Sequence, residues 1–286
     1  MIAYRTIEVD GSEIFYREGG DRSQATLLLL HGFPSSSAQY EQLMECLQDR
    51  FHVIAPDYPG FGRTAALSEP TTFDRLAEVT DAFTEAKGLD RFSLYMFDFG
   101  SPVGFRIATR HPERIESLVI QNANAYETGL GLGMRALEPY WNDRDGNEMA
   151  IRAFLTLEAT RSQYLDGVPD PKSVNPDLYE LDQRYLDLPG RDKVMLELLY
   201  DYQNNLTLYP AWQEYLRSHT PPALLPWGRH DAFFPPEGAL AYLDDLPHAE
   251  LHLLDTGHFA TATHVDVIGE LISRFLHSRV TQIVAA

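Results

Sequence analysis

Residues 94–108, LYMFDFGSPVGFRIA, read as an apolar strand, a sharp break and the start of a helix, with a carboxylate, Asp98, at the tip of the break. A carboxylate with an ordinary pKa near ~4 is already ionised at neutral pH and can attack without a base. Attack on an ester carbonyl would give a high-energy anhydride, whereas displacement at a saturated carbon gives an ordinary alkyl ester. The chemistry that suits Asp98 is therefore the opening of a C–O or C–halogen bond, followed by hydrolysis of the ester. That second step needs a base to take a proton from water and N–H donors for the developing oxyanion. Among ten histidines, His258 in LLDTGHFA stands just after a strand and before a helix. Two carboxylates could orient it: Asp231 at the end of WGRHD, and Asp255 three residues before the histidine. Ser101 is excluded as a hidden nucleophile because Pro102 follows it and has no N–H to give an oxyanion hole. The alternative role for Asp98 is that of a simple helix cap.

The elements that must hold these residues alternate along most of the chain. TIEVD and EIFYRE have the period of half-buried strands, and ATLLLLHG and FHVIAPD read as buried strands ending in loops. A helix over 72–87, the strand FSLYMFD, a helix over 100–110 and the strand IESLVIQN continue the pattern. From 125 to 219 the character changes to helical and polar-aromatic, with nine of the fifteen tyrosines and two of the three tryptophans. The alternation resumes in PALLPWGRHD, a helix after FFPPEG, the strand ELHLLDTGH and a last helix from about 265 to 279. The expected class is α/β: a mostly parallel central sheet with helices on both faces. Its core is formed by 1–124 and 220–286, and a helical cap is inserted at 125–219.

Composition narrows the function classes. The 286 residues, 44% hydrophobic, suffice for one large domain with an insertion. A formal charge of -19 repels phosphate backbones and anionic lipid, so no nucleic-acid or membrane partner is expected. The opening MIAYRTIEVD has no basic segment followed by an apolar run, and the longest strongly apolar stretch, LLLL at 27–30, is too short for a bilayer. A single cysteine, Cys46, permits no internal disulfide and agrees with a cytoplasmic location; its helical spacing reads as that of a small core residue. No metal-ligand cluster or nucleotide fingerprint stands out, so no metal or other cofactor is expected. GLGLG at 129–133 lacks a preceding strand and reads as a flexible entrance to the insertion.

The order HGFP, DYPGFG, strand–Asp98–helix, GRHD and DTGHF resembles the α/β-hydrolase superfamily over nearly the whole chain. The resemblance implies a nucleophile at Asp98, an orienting acid at Asp231 and a histidine base at His258, in that chain order. It also implies an oxyanion hole from the N–H groups of Phe33 and Phe99. Met96 departs from the pattern, because a small residue is usual two before the nucleophile. Two families with an aspartate nucleophile are similar to the chain, epoxide hydrolases and haloalkane dehalogenases. The dehalogenases usually carry tryptophan after the nucleophile and often asparagine in the HG turn, to hold the halide. Here those places are Phe99 and Phe33, whose rings donate nothing. Fluoroacetate dehalogenases usually have arginine after the nucleophile, which Phe99 does not replace. Epoxide hydrolases use cap tyrosines, and Tyr202 in YQNN resembles their Tyr-Arg-x-Asn pattern, while Tyr200 would face elsewhere. The second tyrosine is assigned to Tyr140 in LEPYWND. The expected activity is conversion of an epoxide to a vicinal diol, on a small neutral apolar substrate in a pocket including Phe33, Phe99 and Trp141. A carbon–halogen hydrolase with Trp141 as halide donor is the alternative. A non-hydrolytic ligand-binding or oxygen-dependent protein of this fold comes third.

Overall fold

Eight strands alternate their side chains between two separate apolar cores in the computed structural model, which describes the backbone of residues 1–284 and the side chains through residue 277. They are β1 Ala3–Val9, β2 Ser12–Gly19, β3 Thr26–Leu30, β4 His52–Pro56, β5 Phe92–Phe97, β6 Ile115–Gln121, β7 Ala223–Gly228 and β8 Glu250–Leu254. On one face Leu28, Leu30, Leu94, Met96, Leu118, Ile120 and Leu225 join a single cluster. On the other, Leu27, Leu29, Tyr95, Phe97, Val119 and Leu224 join a second. With a period of two and both faces covered by helices, β3 is apolar on both faces from Leu27 to Leu30, which is why LLLL belongs to a strand. Each such side chain contributes about 1.5–3 kcal/mol by leaving water.

The strand order is β1-β2-β4-β3-β5-β6-β7-β8. β2 pairs antiparallel with β1 and β4, and all other neighbours are parallel. After β3 the chain moves to one side to form β4, then returns to place β5 on the other. The loops after β3 and β5 thus diverge at a topological switch point, where open α/β sheets form their crevices.

Between β6 and β7 the described residues form helices and turns: Leu132–Arg135, Glu138–Asn142, Arg144–Ile151, Leu157–Leu165, Pro176–Leu186 and Arg191–His219. The 29-residue helix Arg191–His219 is clamped to the core. Its Glu197 and Asp201 accept the backbone N–H groups of Thr71 and Phe73, each at 2.8 Å, at the start of helix Phe73–Ala86. Its Asn205 accepts from Arg106 at 2.8 Å, and Trp212 stacks on Phe105 with centroids 5.2 Å apart.

Three sequence expectations change. Cys46 is exposed, because helix Glu41–Leu47 buries the stripe Leu43, Met44 and Leu47 and leaves the cysteine at its edge. The run 129–133 docks tightly: Gly131 and Gly133 donate to the carbonyls of Phe233 and Ala232 at 2.8 and 3.0 Å. A Cβ on Gly131 would lie 2.3 Å from the Ala232 oxygen, so glycine serves close approach there. The last helix begins at Thr261 and passes a non-helical residue, His264, before continuing. Among the described residues no helix is long and apolar enough to cross a membrane.

Candidate active site

Asp98 follows β5 directly and has φ 48°, a left-handed conformation unusual for a residue with a Cβ and costing on the order of 1 kcal/mol. The turn is closed by the Ser101 N–H on the Asp98 carbonyl at 3.0 Å. Gly32 and Gly100 make it possible: a Cβ at Gly32 would sit 2.4 Å from the Asp98 Cβ, and one at Gly100 2.2 Å from the Leu30 oxygen. Met96 is accommodated because it packs where residue 104 is glycine; a Cβ there would be 2.4 Å from its sulfur. Ser101 is turned away, with its hydroxyl donating to the Asn124 carbonyl at 3.0 Å.

Around the Asp98 carboxylate the chain converges from three directions. The Phe33 N–H, from the loop after β3, donates to Oδ1 at 2.6 Å, and the Phe99 N–H also bonds the carboxylate. Oδ2 faces His258 Nε2 at 3.8 Å. The other ring nitrogen of His258, Nδ1, bonds Asp231 Oδ2 at 2.7 Å across 27 residues of sequence. Asp255, although near His258 in sequence, pairs instead with the exposed His230 at 2.8 Å. Asp231 is held by the Phe233 N–H at 2.7 Å and by Asn122 Nδ2 at 2.9 Å. Asn122 follows β6 in a left-handed conformation and also exchanges hydrogen bonds with the backbone of Gly228. Its positioning role was not read from sequence, where IQN offers only an amide at a strand end. His31 has no part in this cluster: Nδ1 bonds the Gly32 carbonyl, Nε2 accepts from the Tyr58 N–H, and burial lowers its pKa to about 4.

Electrostatics tune the pair. Burial pushes the Asp98 carboxyl up, opposed by His258 and the two N–H donors, to about 6. For His258, burial acts to lower the pKa, but the Asp231 charge and hydrogen bond and the Asp98 charge together raise it. A group arranged like this can attack an electrophile through Oδ2 while the Phe33 N–H holds Oδ1, leaving His258 beside the ester that forms.

The carboxylate opens into a cavity of about 20 Å³, the room of about one water. Its walls include Phe33, Phe99, Leu137, Phe154, Leu199 and Phe233, and among the described residues Gln163 is the one polar side chain in the lining besides Asp98 and His258. Tyr202 does not line this space and sits behind Phe99. Its ring is 6.1 Å from Phe99, and its hydroxyl is 3.4 Å from that of Tyr209, which accepts from Asn124. Burial, the neighbouring tyrosine and the Asp98 charge raise the Tyr202 pKa well above 10, so its proton is retained.

Two expectations about the insertion are corrected. The Tyr140 hydroxyl donates to the Leu196 carbonyl at 3.3 Å, and its ring meets Tyr200. Trp141 stacks on Tyr202, and its Nε1–H is used by the Leu199 carbonyl at 2.8 Å. Neither lines the Asp98 cavity, because helix Glu138–Asn142 presents both residues to helix Arg191–His219. Tyr200 points toward Tyr140, as its spacing from Tyr202 predicts.

Residues 25–265 match the family described as alpha/beta hydrolase fold. An uncharacterized hydrolase of Saccharomyces cerevisiae is 42% identical over 273 residues, covering 93% of this chain and 94% of its own. A haloalkane dehalogenase of Bradyrhizobium diazoefficiens is 25% identical over 304 residues, with 96% and 94% covered. The crystal structure of a haloalkane dehalogenase from Bradyrhizobium elkani is similar with a TM-score of 0.82 at 21% identity, covering 99% of this chain and all of that one. At that identity the structural likeness speaks to the fold.

Proposed function

The chain belongs to the alpha/beta hydrolase fold family, and from that premise we propose that it hydrolyses a bond at a saturated carbon through an alkyl ester on Asp98, converting an epoxide to a vicinal diol. The observation that carries this reading is the carboxylate itself, with Oδ1 on the Phe33 N–H at 2.6 Å and Oδ2 facing His258 at 3.8 Å. In the first step an Asp98 oxygen attacks a ring carbon, the C–O bond breaks, and its electron pair stays on the departing oxygen. Tyr202 gives that oxygen a proton and is restored from water. In the second step His258 takes a proton from water, whose oxygen adds to the Asp98 ester carbon. The oxyanion is held by Phe33 and Phe99, and collapse releases the diol, with the proton from His258 going to the departing oxygen. Esterification removes the negative charge facing Nε2, which lowers the His258 pKa just when the histidine must act as a base. The helices of 125–219 serve as the cap that walls the pocket.

An epoxide is favoured over a halide by the tryptophans. The Trp141 and Trp227 N–H groups are committed to the Leu199 and Phe234 carbonyls, each at 2.8 Å, and the rings of Phe33 and Phe99 have no donor. Carbon–halogen hydrolysis is the second reading, favoured by the 25% identical relative that bears that name. The test is mass spectrometry of the His258→Gln protein after exposure to separate pools of epoxides and alkyl halides. The expected result is an Asp98 peptide heavier by one whole epoxide. An alkyl group without its halogen would make the protein a dehalogenase, and an unmodified Asp98 in both pools would overturn the nucleophile.

A further inference from the structure

Gln163 lies on helix Leu157–Leu165 and is 4% exposed. Its amide nitrogen is buried without a hydrogen-bond partner. The nearby Gln183 amide is engaged at both ends, accepting from Thr160 at 2.7 Å and donating to the Leu155 carbonyl and to Asp187, whereas Gln39 and Asn205 elsewhere also have an amide nitrogen without a partner. A buried donor left unpaired is costly, and native structures keep few of them without a reason. The location supplies one, because Gln163 lines the same small cavity as Asp98 and His258. With Phe154 and Phe233 it also lines an outer groove of about 240 Å³, so these three side chains stand between the cavity and the surface.

We infer that the Gln163 carboxamide is the second hydrogen-bond donor to the oxygen of the substrate, in the role the sequence assigned to Tyr140. The inference rests on the reading of Asp98 as the nucleophile. As Asp98 forms its bond to carbon and the C–O bond breaks, negative charge grows on the departing oxygen. The Gln163 N–H stabilises that charge without transferring its proton, since a carboxamide is too weak an acid; the proton comes from Tyr202. A half turn about the last side-chain bond exchanges the amide's two ends, so the donor can follow the oxygen. The protein itself offers the Nε2 donor no partner, and a bound substrate oxygen can supply one.

The test compares His258→Gln with His258→Gln/Gln163→Met, using the epoxide that labels Asp98 most rapidly in a panel of terminal alkyl and aryl epoxides. Methionine keeps the length of the side chain and removes the donor. Ester formation is expected to slow at least tenfold, with a thermal midpoint equal to or above that of the parent. A purely structural residue would show the reverse, a lowered midpoint with an unchanged labelling rate. In the protein with His258 intact, the single variant should hydrolyse a preformed ester at the parent rate, which assigns the loss to ring opening. Equal labelling rates with and without Gln163 would overturn this inference alone. No adduct in the Gln163-containing protein would overturn the Asp98 reading, and this inference with it.

Discussion

A buried carboxylate proposed as a nucleophile has opposing demands placed on it, and Asp98 shows both. Its two backbone N–H donors and His258 favour the anion, yet burial outweighs them and lifts the pKa from the ordinary 3.8 to about 6. The raised value means that the folded protein holds the proton at pH values where an exposed aspartate has lost it. Attack requires the anion, so the rate of ester formation should be at its plateau well above pH 6. It should be half-maximal near pH 6 and fall about tenfold per unit below that. Single-turnover labelling of the His258→Gln protein across pH removes the second step, although the substitution also removes a charge that lowers the Asp98 pKa. The break should therefore lie at or above pH 6. A break near 4 would mean that Asp98 is as well solvated as a surface aspartate.

At the scale of elements, the site depends on where strands end and on one helix that cannot slide. β3 and β5 are neighbours that diverge at the switch point, so the Phe33 N–H and Asp98 meet across 65 residues of sequence. Helix Arg191–His219 brings Tyr202 alongside, and its Glu197 and Asp201 hold the two N–H groups at the start of helix Phe73–Ala86. Asp201 works as a cap supplied from a distant element. Asp201→Ala should cost about 1 kcal/mol, a fall of about 2–4 °C in thermal midpoint. It should also slow ester formation more than ester hydrolysis, because the displaced turn carries Tyr202. Thermal melting and separate measurement of the two steps check both parts, and an unchanged midpoint would show that the clamp is held elsewhere.

On the scale of the molecule, charge and shape bear on which substrate the proposed reaction would take. A formal charge of -19 disfavours approach of anions, and among the described residues the cavity has phenyl and aliphatic walls with no lysine or arginine in its lining. A carboxylate-bearing epoxide should be turned over with a kcat/KM at least tenfold below that of its neutral amide. Added salt should narrow the gap as the long-range part is screened. Equal rates at low salt would show that the field does not reach the substrate's path. At about 20 Å³ the cavity is smaller than any such substrate, so binding must displace side chains of its wall. Phe154, Gln163 and Phe233 are shared walls of the cavity and the outer groove.

The sequence by itself determined the α/β architecture and placed Asp98 and His258 just past strand ends, while Phe33 and Phe99 were named through the resemblance of the HGFP and strand–Asp98–helix motifs. Met96 shows the limit of that reading: its fit depends on Gly104, on the facing helix. Whether Asp231 or Asp255 faced His258 was decided by tertiary structure, which set the residue 27 positions away at 2.7 Å and turned the nearer one to His230. The same holds for the insertion, whose helices carry polar and aromatic side chains on several faces. Periodicity there does not say which face turns inward, so Tyr140 and Trp141 were expected in the pocket and Gln163 was not. Helix rotation follows from packing against the core, and only the packed chain brings the unpaired amide of Gln163 into the wall of the Asp98 cavity.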